Sequence, residues 1–291
     1  MPNLELVKKE SLSSFRRIAI GTWRDAYDPT VYGSLTLRMD EAVRYIDEFR
    51  KRTGKRITVT HLMAKATAAA LARMPDANAI LRFNRPYLRQ RIGVFFQVAM
   101  EDDDTKEIDL SGATIMDTDK KSLVEIIDEF QAQVEKVRSK KDEALEKTRS
   151  TFKSIPFMLL NLALRLISFF SYTLNLDLRK LGIPKDPFGS VMITNIGSLG
   201  LDEAYVPLVP YSRVPLLLAV GAVKEAALVE NGAVKVGKVM RVHATFDHRL
   251  LDGTHAAIMS KVLTAWMEHP YEHFDDLSEL KPAAVSETAA A

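Results

Sequence analysis

Residues 241–255 read Arg241-Val242-His243-Ala244-Thr245-Phe246-Asp247-His248-Arg249-Leu250-Leu251-Asp252-Gly253-Thr254-His255. No other stretch implies chemistry from its residue types and spacing alone. Apolar residues at Met240, Val242, Ala244 and Phe246 alternate with polar ones, as in a half-buried strand, and a helix-compatible run follows Gly253 as far as Met267. The strand therefore delivers a loop to a helix start. His248 lies in that loop, with Asp252 four residues on to orient the loop or the ring. Gly253 supplies backbone that can turn tightly or admit another group closely. A histidine on a fixed loop is a candidate general base, because an unperturbed imidazole titrates near about 6.5 and can take and return a proton. A solvated loop histidine in an ordinary strand-to-helix connection fits the same residues.

The run Asp247-His248-Arg249-Leu250-Leu251-Asp252-Gly253 resembles the D-H-R-x-x-D-G signature of the acyltransferase component of 2-oxo acid dehydrogenase complexes, whose wider superfamily includes chloramphenicol acetyltransferase. Upstream, Ile193-Thr194-Asn195-Ile196-Gly197-Ser198-Leu199-Gly200 resembles the same family's T-I-S-N-L-G-x-x-G block. Weaker matches run in family order through Ser13-Ser14-Phe15-Arg16-Arg17-Ile18-Ala19, Thr58-Val59-Thr60-His61-Leu62, Pro75-Asp76-Ala77-Asn78-Ala79 and Asp119-Lys120-Lys121-Ser122-Leu123.

The resemblance implies an α/β (α+β) fold: a chloramphenicol acetyltransferase-like two-layer sandwich, with a mixed, mostly antiparallel sheet covered by helices. It also implies a homotrimer, or a larger cage, with active sites between subunits. The chemistry implied is acyl transfer between coenzyme A, as a substrate, and a thiol of dihydrolipoyl type or a hydroxyl. By that analogy His248 removes the proton from the attacking thiol, and Thr194 occupies the position of the family's hydroxyl residue that donates to the tetrahedral oxyanion. Family geometry places these two on different subunits. Asp252 holds the loop through an arginine of the Arg16-Arg17 pair, and Asn195 and Gly253 stand as supporting residues. The family's lipoyl domains and Ala/Pro-rich linkers have no counterpart in this sequence, so the expectation is no covalent lipoyl group on this chain and a separate lipoyl carrier or a different acceptor. Two rival readings keep the same residues: a catalytically silent trimeric or cage-forming scaffold, and a small-molecule O-acetyltransferase.

A net charge of +2 argues against a phosphate-tracking surface, so no nucleic-acid partner is expected. The chain has no cysteine, which excludes disulfides, thiolate nucleophiles and cysteine metal sites. The sequence opening Met1-Pro2-Asn3-Leu4-Glu5 shows no basic region leading into an apolar core, so a cytoplasmic location is the expectation. His269 and His273 are four apart, but Pro270 spoils a shared helical face and no metal site is expected.

In chain order, Ser13-Ser14 marks a helix start, Thr36 to Met39 a strand, and Asp40 an N-cap for a helix to Arg52 with apolar spacing at Val43, Ile46 and Phe49. Ala-rich Thr60 to Met74 is a second helix, with His61 in its first turn as a packing or capping residue. Tyr87 to Met100 holds two β-type runs, the second Ile92 to Met100, followed by the acidic run Glu101 to Asp104 as a solvated turn. Asp109-Leu110-Ser111-Gly112-Ala113-Thr114 departs from the family's G-L-x-x-P-V block, which leaves the channel and substrate choice open. Ser122 to Lys147 reads as a long amphipathic helix. Phe188 to Ile196 and Leu216 to Val223 are strands, and Leu228 to Val239 is a hairpin turning at Asn231-Gly232. Residues 1–281 are thus one catalytic-type domain with a helical insertion at about 140–185, and 282–291 a disordered tail.

Inside the insertion, Ile155 to Leu176 is very apolar, and its polar residues Asn161, Arg165, Ser168, Ser171 and Asn175 recur at helical steps to form one narrow stripe. A central Arg165 opposes spanning a bilayer, at a cost of about 2.5–3.5 kcal/mol. Three uses remain open: packing within its own domain or on a neighbouring subunit, contact with a membrane surface, and a lid over a greasy acyl group. Interfacial binding is expected to use more Lys and Arg than the stripe carries.

Overall fold

The computed structural model describes residues 29–101, 108–138 and 156–280. The expected helix start at Ser13, the Arg16-Arg17 pair, the acidic run beyond Glu101 and the tail at 282–291 lie outside the described residues.

Strand β1 (Thr30–Arg38) leads into helix α1 (Asp40–Thr53), which buries Ala42, Tyr45, Ile46 and Phe49 along one face. The seam runs through Tyr45, while Val43, expected there, is only half-buried. Asp40 is not the cap. Met39 occupies that position, and the Asp40 carboxylate instead accepts the Lys238 amide at 3.0 Å, an interaction that holds its pKa below the usual carboxylate range. Helix α2 (Val59–Arg73) buries Ala64, Ala66, Ala68 and Ala70, small side chains that let neighbouring elements approach on every side. Strands β2 (Ala79–Arg82) and β3 (Arg85–Leu88) form a separate hairpin, and β4 (Gly93–Glu101) pairs with β5 (Ile108–Met116). The stretch Asp109 to Thr114 is therefore sheet.

Helix α3 (Leu123–Arg138) follows, the described part of the expected long helix. Helix α4 (Phe157–Ser168) continues as a π-helical turn over Phe169–Thr173. Then come β6 (Val191–Asn195), β7 (Leu216–Val220), β8 (Lys224–Glu230), β9 (Ala233–Asp247) and α5 (Gly253–Glu268). The β8–β9 turn is made by Asn231 (φ 52°) and Gly232 (φ 80°), as the Asn-Gly pair predicts.

The seven-stranded sheet runs β1-β9-β7-β6-β4-β5, with β8 on the free end of β9. Its pairings are antiparallel except β4–β6 and β6–β7. Helices α1, α2, α3 and α5 cover one face, and their side chains meet Val191, Ile193, Leu216, Leu218, Met240, Val242 and Phe246 in the main core. The other face carries a smaller cluster, Met192, Val214 and Leu217, packed by Phe95, Phe188 and the loop side chains Val206, Leu208 and Val209. That loop changes the reading of β9. Its second face, expected to be solvated, buries His243, Thr245 and Asp247, with the Asp202 carbonyl 3.2 Å from His243 Nε2 and Tyr205 edge-on to the ring.

Candidate active site

The loop after β9 is built by Asp247. Its buried carboxylate accepts the Arg249 guanidinium at two atoms (2.9 and 2.6 Å) and the Arg249 amide at 3.0 Å. Its carbonyl accepts the amides of Leu250 and Leu251. The His248 amide donates to the Pro29 carbonyl at 2.7 Å, tying the loop to the strand that precedes it in space. Inside this turn His248 Nδ1 lies 2.9 Å from the Leu251 carbonyl. A carbonyl only accepts, so Nδ1 carries the proton and Nε2 keeps the lone pair. The ring is exposed at the end of the sheet. The residue that orients it is Leu251, through its backbone, and not Asp252.

Asp252 is the N-cap of α5. Its carboxylate accepts the amides of Thr254 (2.8 Å) and His255 (3.1 Å), and its own amide donates to His255 Nδ1 at 3.3 Å, closing a capping box. The His255 backbone bond, then its side chain, hold the Asp252 carboxyl below its ordinary value. The expected arginine partners, Arg16 and Arg17, lie outside the described residues, so the pairing is neither seen nor replaced. Gly253 opens the helix without a positive φ, and a Cβ there meets nothing within 4 Å. Neither a tight turn nor a close approach within the chain requires glycine at that position.

Thr194 and Asn195 end β6. Alternate residues Val191 and Ile193 point into the main core, so Thr194 faces the other side with Met192 and is half-buried there. The Asn195 amide donates to Thr60 Oγ1 at 2.9 Å, linking the strand end to the first turn of α2, and its oxygen accepts the Ser198 amide at 3.0 Å. Thr60 reads in the sequence only as part of a weaker family match and as a helix start, since nothing local distinguishes it from an ordinary first-turn threonine.

The structure does not bring His248 and Thr194 together in one chain. Thr194 is in register with Ala219 on β7, and Ala219 with His243 on β9. His248 is five residues further on, which sets the two apart by roughly 17 Å along the strands and roughly 10 Å across them.

His61 is a packing and capping residue, as expected. Its Nδ1 accepts the Thr58 amide at 3.1 Å, its ring packs on Phe96 and Phe130, and burial lowers its pKa to about 4. His273 stacks on Trp266, and no group of three metal-ligating side chains occurs among the described residues.

A family model described as 2-oxoacid dehydrogenases acyltransferase (catalytic domain) matches residues 6–154 and 185–274. Residues 155–184, which contain α4, fall between the two matched stretches. Among curated proteins, the chain is 22% identical over 220 residues to the dihydrolipoyllysine-residue acetyltransferase component of the acetoin cleaving system of Bacillus subtilis, covering 76% of this chain and 44% of that protein. The chain thus spans about half the length of the curated relatives it matches. Among solved structures, a probable dihydrolipoamide acetyltransferase from Listeria monocytogenes superposes with a TM-score of 0.61 at 18% identity, over 90% of this chain and 95% of that one. The cubic core of the pyruvate dehydrogenase multienzyme complex gives 0.62 at 20% identity, over 94% and 99%. At such identities these two likenesses speak for the fold.

Proposed function

Because the chain belongs to the 2-oxoacid dehydrogenase acyltransferase catalytic-domain family, we propose that it moves an acyl group between coenzyme A and a thiol or hydroxyl acceptor, at a site completed between two copies of the chain. The observation that carries this reading is the placement of His248 and Thr194 at opposite ends of one sheet. A base at one end and a hydroxyl donor at the other act on the same substrate only if a second copy brings its own Thr194 to the first copy's His248.

In the proposed reaction, Nε2 of His248 takes the proton from the acceptor's thiol or hydroxyl as it attacks the acyl carbonyl. Leu251 accepts from Nδ1 and keeps the ring in the required tautomer. Negative charge develops on the former carbonyl oxygen, where the Thr194 hydroxyl of the neighbouring copy donates. A lost donor of this kind costs about 2.7–4 kcal/mol of barrier. Collapse expels the coenzyme A thiolate, which receives the proton from His248. Asn195, tied to Thr60, holds the strand end that carries Thr194. Asp252 acts one step removed, by fixing the start of the helix behind the loop.

Assembly has a surface available to it. Val229, Val234 and Val236 line one face of the β8–β9 hairpin and are 75%, 72% and 74% exposed. Val229 pairs directly with Val234, so the face is continuous.

The experiment is turnover of acetyl and longer acyl-coenzyme A with dihydrolipoamide as acceptor, read as free thiol released, for the wild type and His248→Ala. Turnover that disappears in a variant of unchanged oligomeric state supports the reading. Absence of turnover from a well-formed wild-type oligomer with every donor and acceptor tried overturns it in favour of a scaffold.

A further inference from the structure

We propose that the outward face of α4 and its π-helical extension is a contact surface for anionic lipid bilayers. Leu159, Leu162, Leu166, Phe169 and Phe170 lie along it and are 40–55% exposed. At helical spacing they form a continuous arc, with Arg165 exposed at its margin. The polar stripe read from the sequence does not act as one face. Ser168 is buried and accepts Arg213 Nε at 2.8 Å, and the Ser171 hydroxyl is buried too, whereas Asn161 and Arg165 are exposed.

The segment is pinned with its apolar arc outward. Besides the Ser168–Arg213 bond, Arg82 Nε donates to the Thr173 carbonyl at 2.9 Å, and Arg89 pairs with Asp186 at 2.5 Å just beyond the segment. Rotating the leucines inward would break these bonds. The apolar surface is therefore presented by the fold.

Charge names the occupant. The described residues 156–185 hold four Lys and Arg against one Asp, whereas the whole chain holds 40 Lys and Arg against 38 Asp and Glu. The segment's excess exceeds that of the entire chain, so the rest of the protein is net acidic. The cations that follow the helix are Arg179, which pairs with Asp177, Lys180 and Lys185. Apolar side chains flanked by cations are what an interfacial helix on an anionic leaflet requires. No helix among the described residues is long and apolar enough to cross a membrane, so the helix lies on the bilayer surface. The segment also falls between the two stretches that the family model matches. The exposed valines of the β8–β9 hairpin have no comparable charge, since Glu225 and Glu230 accompany Lys224, Lys235 and Lys238.

The test is cosedimentation of the full chain with vesicles of phosphatidylcholine alone and of phosphatidylcholine with phosphatidylglycerol, for the wild type and Leu162→Glu/Leu166→Glu, with oligomeric state followed alongside. The expected result is binding to the phosphatidylglycerol vesicles alone, weakened by salt and reduced at least about tenfold by the double substitution without a change of oligomer. Failure to bind either vesicle overturns the inference, and so does a double variant that binds as well as the wild type. Loss of self-association in the double variant, with no vesicle binding by the wild type, assigns the face to a second copy of the chain instead. Neither result touches the acyltransferase reading, which is measured on soluble substrates.

Discussion

Thr194 on β6 stands level with His243 on β9, on the same face of the sheet and with the small side chain of Ala219 between them. His248, the proposed base, is carried past that level to the opposite end of the strands. If active sites form between copies, mixing chains rescues activity. Refolded together in equal amounts, His248→Ala and Thr194→Ala chains each contribute one intact half-site, and random assembly into trimers restores about a quarter of the sites. Either variant alone has none with both residues intact. Activity that stays at the level of the single variants in verified mixed trimers sinks the shared site.

The turn after Asn195 makes a second prediction. A Cβ on Gly197 would sit 2.5 Å from the Ala222 nitrogen and 2.6 Å from the Gly221 carbonyl group, all backbone atoms that cannot swing away. Gly200 needs its glycine only for a φ of 77°, with nothing within 4 Å of a Cβ. Gly197→Ala therefore displaces the strand end bearing Thr194 and lowers turnover at least about tenfold, since small misplacements at a reacting centre are costly. Gly200→Ala costs about 1 kcal/mol of stability and leaves turnover near wild type. Steady-state kinetics and denaturant unfolding of the two variants check the contrast.

These expectations rest on features of unequal visibility in the sequence. The β9 strand, its loop, α5 and the Asn231-Gly232 turn were readable because period, capping and turn chemistry are properties of neighbouring residues. Burial of His243, Thr245 and Asp247 was not, because the loop that covers them comes from around residues 202–209 and its docking is a long-range event. Of the β2–β3 hairpin only the run beginning at Tyr87 was legible, and its turn was not: it uses Phe83 and Asn84 at positive φ, and phenylalanine is not a residue that announces a turn. That Asp252 also caps a helix was not legible, because the residue three positions on is His255 and not the Glu or Gln of the usual capping box.

That cap yields a third prediction. If Asp252 serves chiefly as the cap of α5, asparagine replaces it well, because its side-chain oxygen also accepts from Thr254 and His255. Asp252→Asn should keep most of its activity, while Asp252→Ala lowers Tm by about 2–4 °C and disturbs the loop before the helix. An asparagine variant that is stable but inactive shows instead that the negative charge itself is used, as a pairing with Arg16 or Arg17 requires. Tm and kcat of the two variants decide it.

His61 supplies the pH dependence. Burial against Phe96 and Phe130 lowers its pKa to about 4, and its Nδ1 must stay unprotonated to accept the Thr58 amide. An unfolded chain holds the same histidine near about 6.5, so below that pH the unfolded state binds the extra proton and folding loses ground. The stabilising contribution is complete above about pH 6.5 and falls as pH drops toward 4, at a limiting rate of about 1.4 kcal/mol per pH unit and roughly 3 kcal/mol in all. Glutamine at this position completes the Thr58 capping box without titrating. His61→Gln should therefore match the wild type within about 1.5 kcal/mol at pH 7.5 yet lose less stability on going to pH 4.5. Urea unfolding of both proteins at the two pH values measures the difference. Equal losses show that His61 does not set the acid sensitivity in this range; Asp252 and Asp40, whose carboxyls are held below their ordinary values, act only at lower pH.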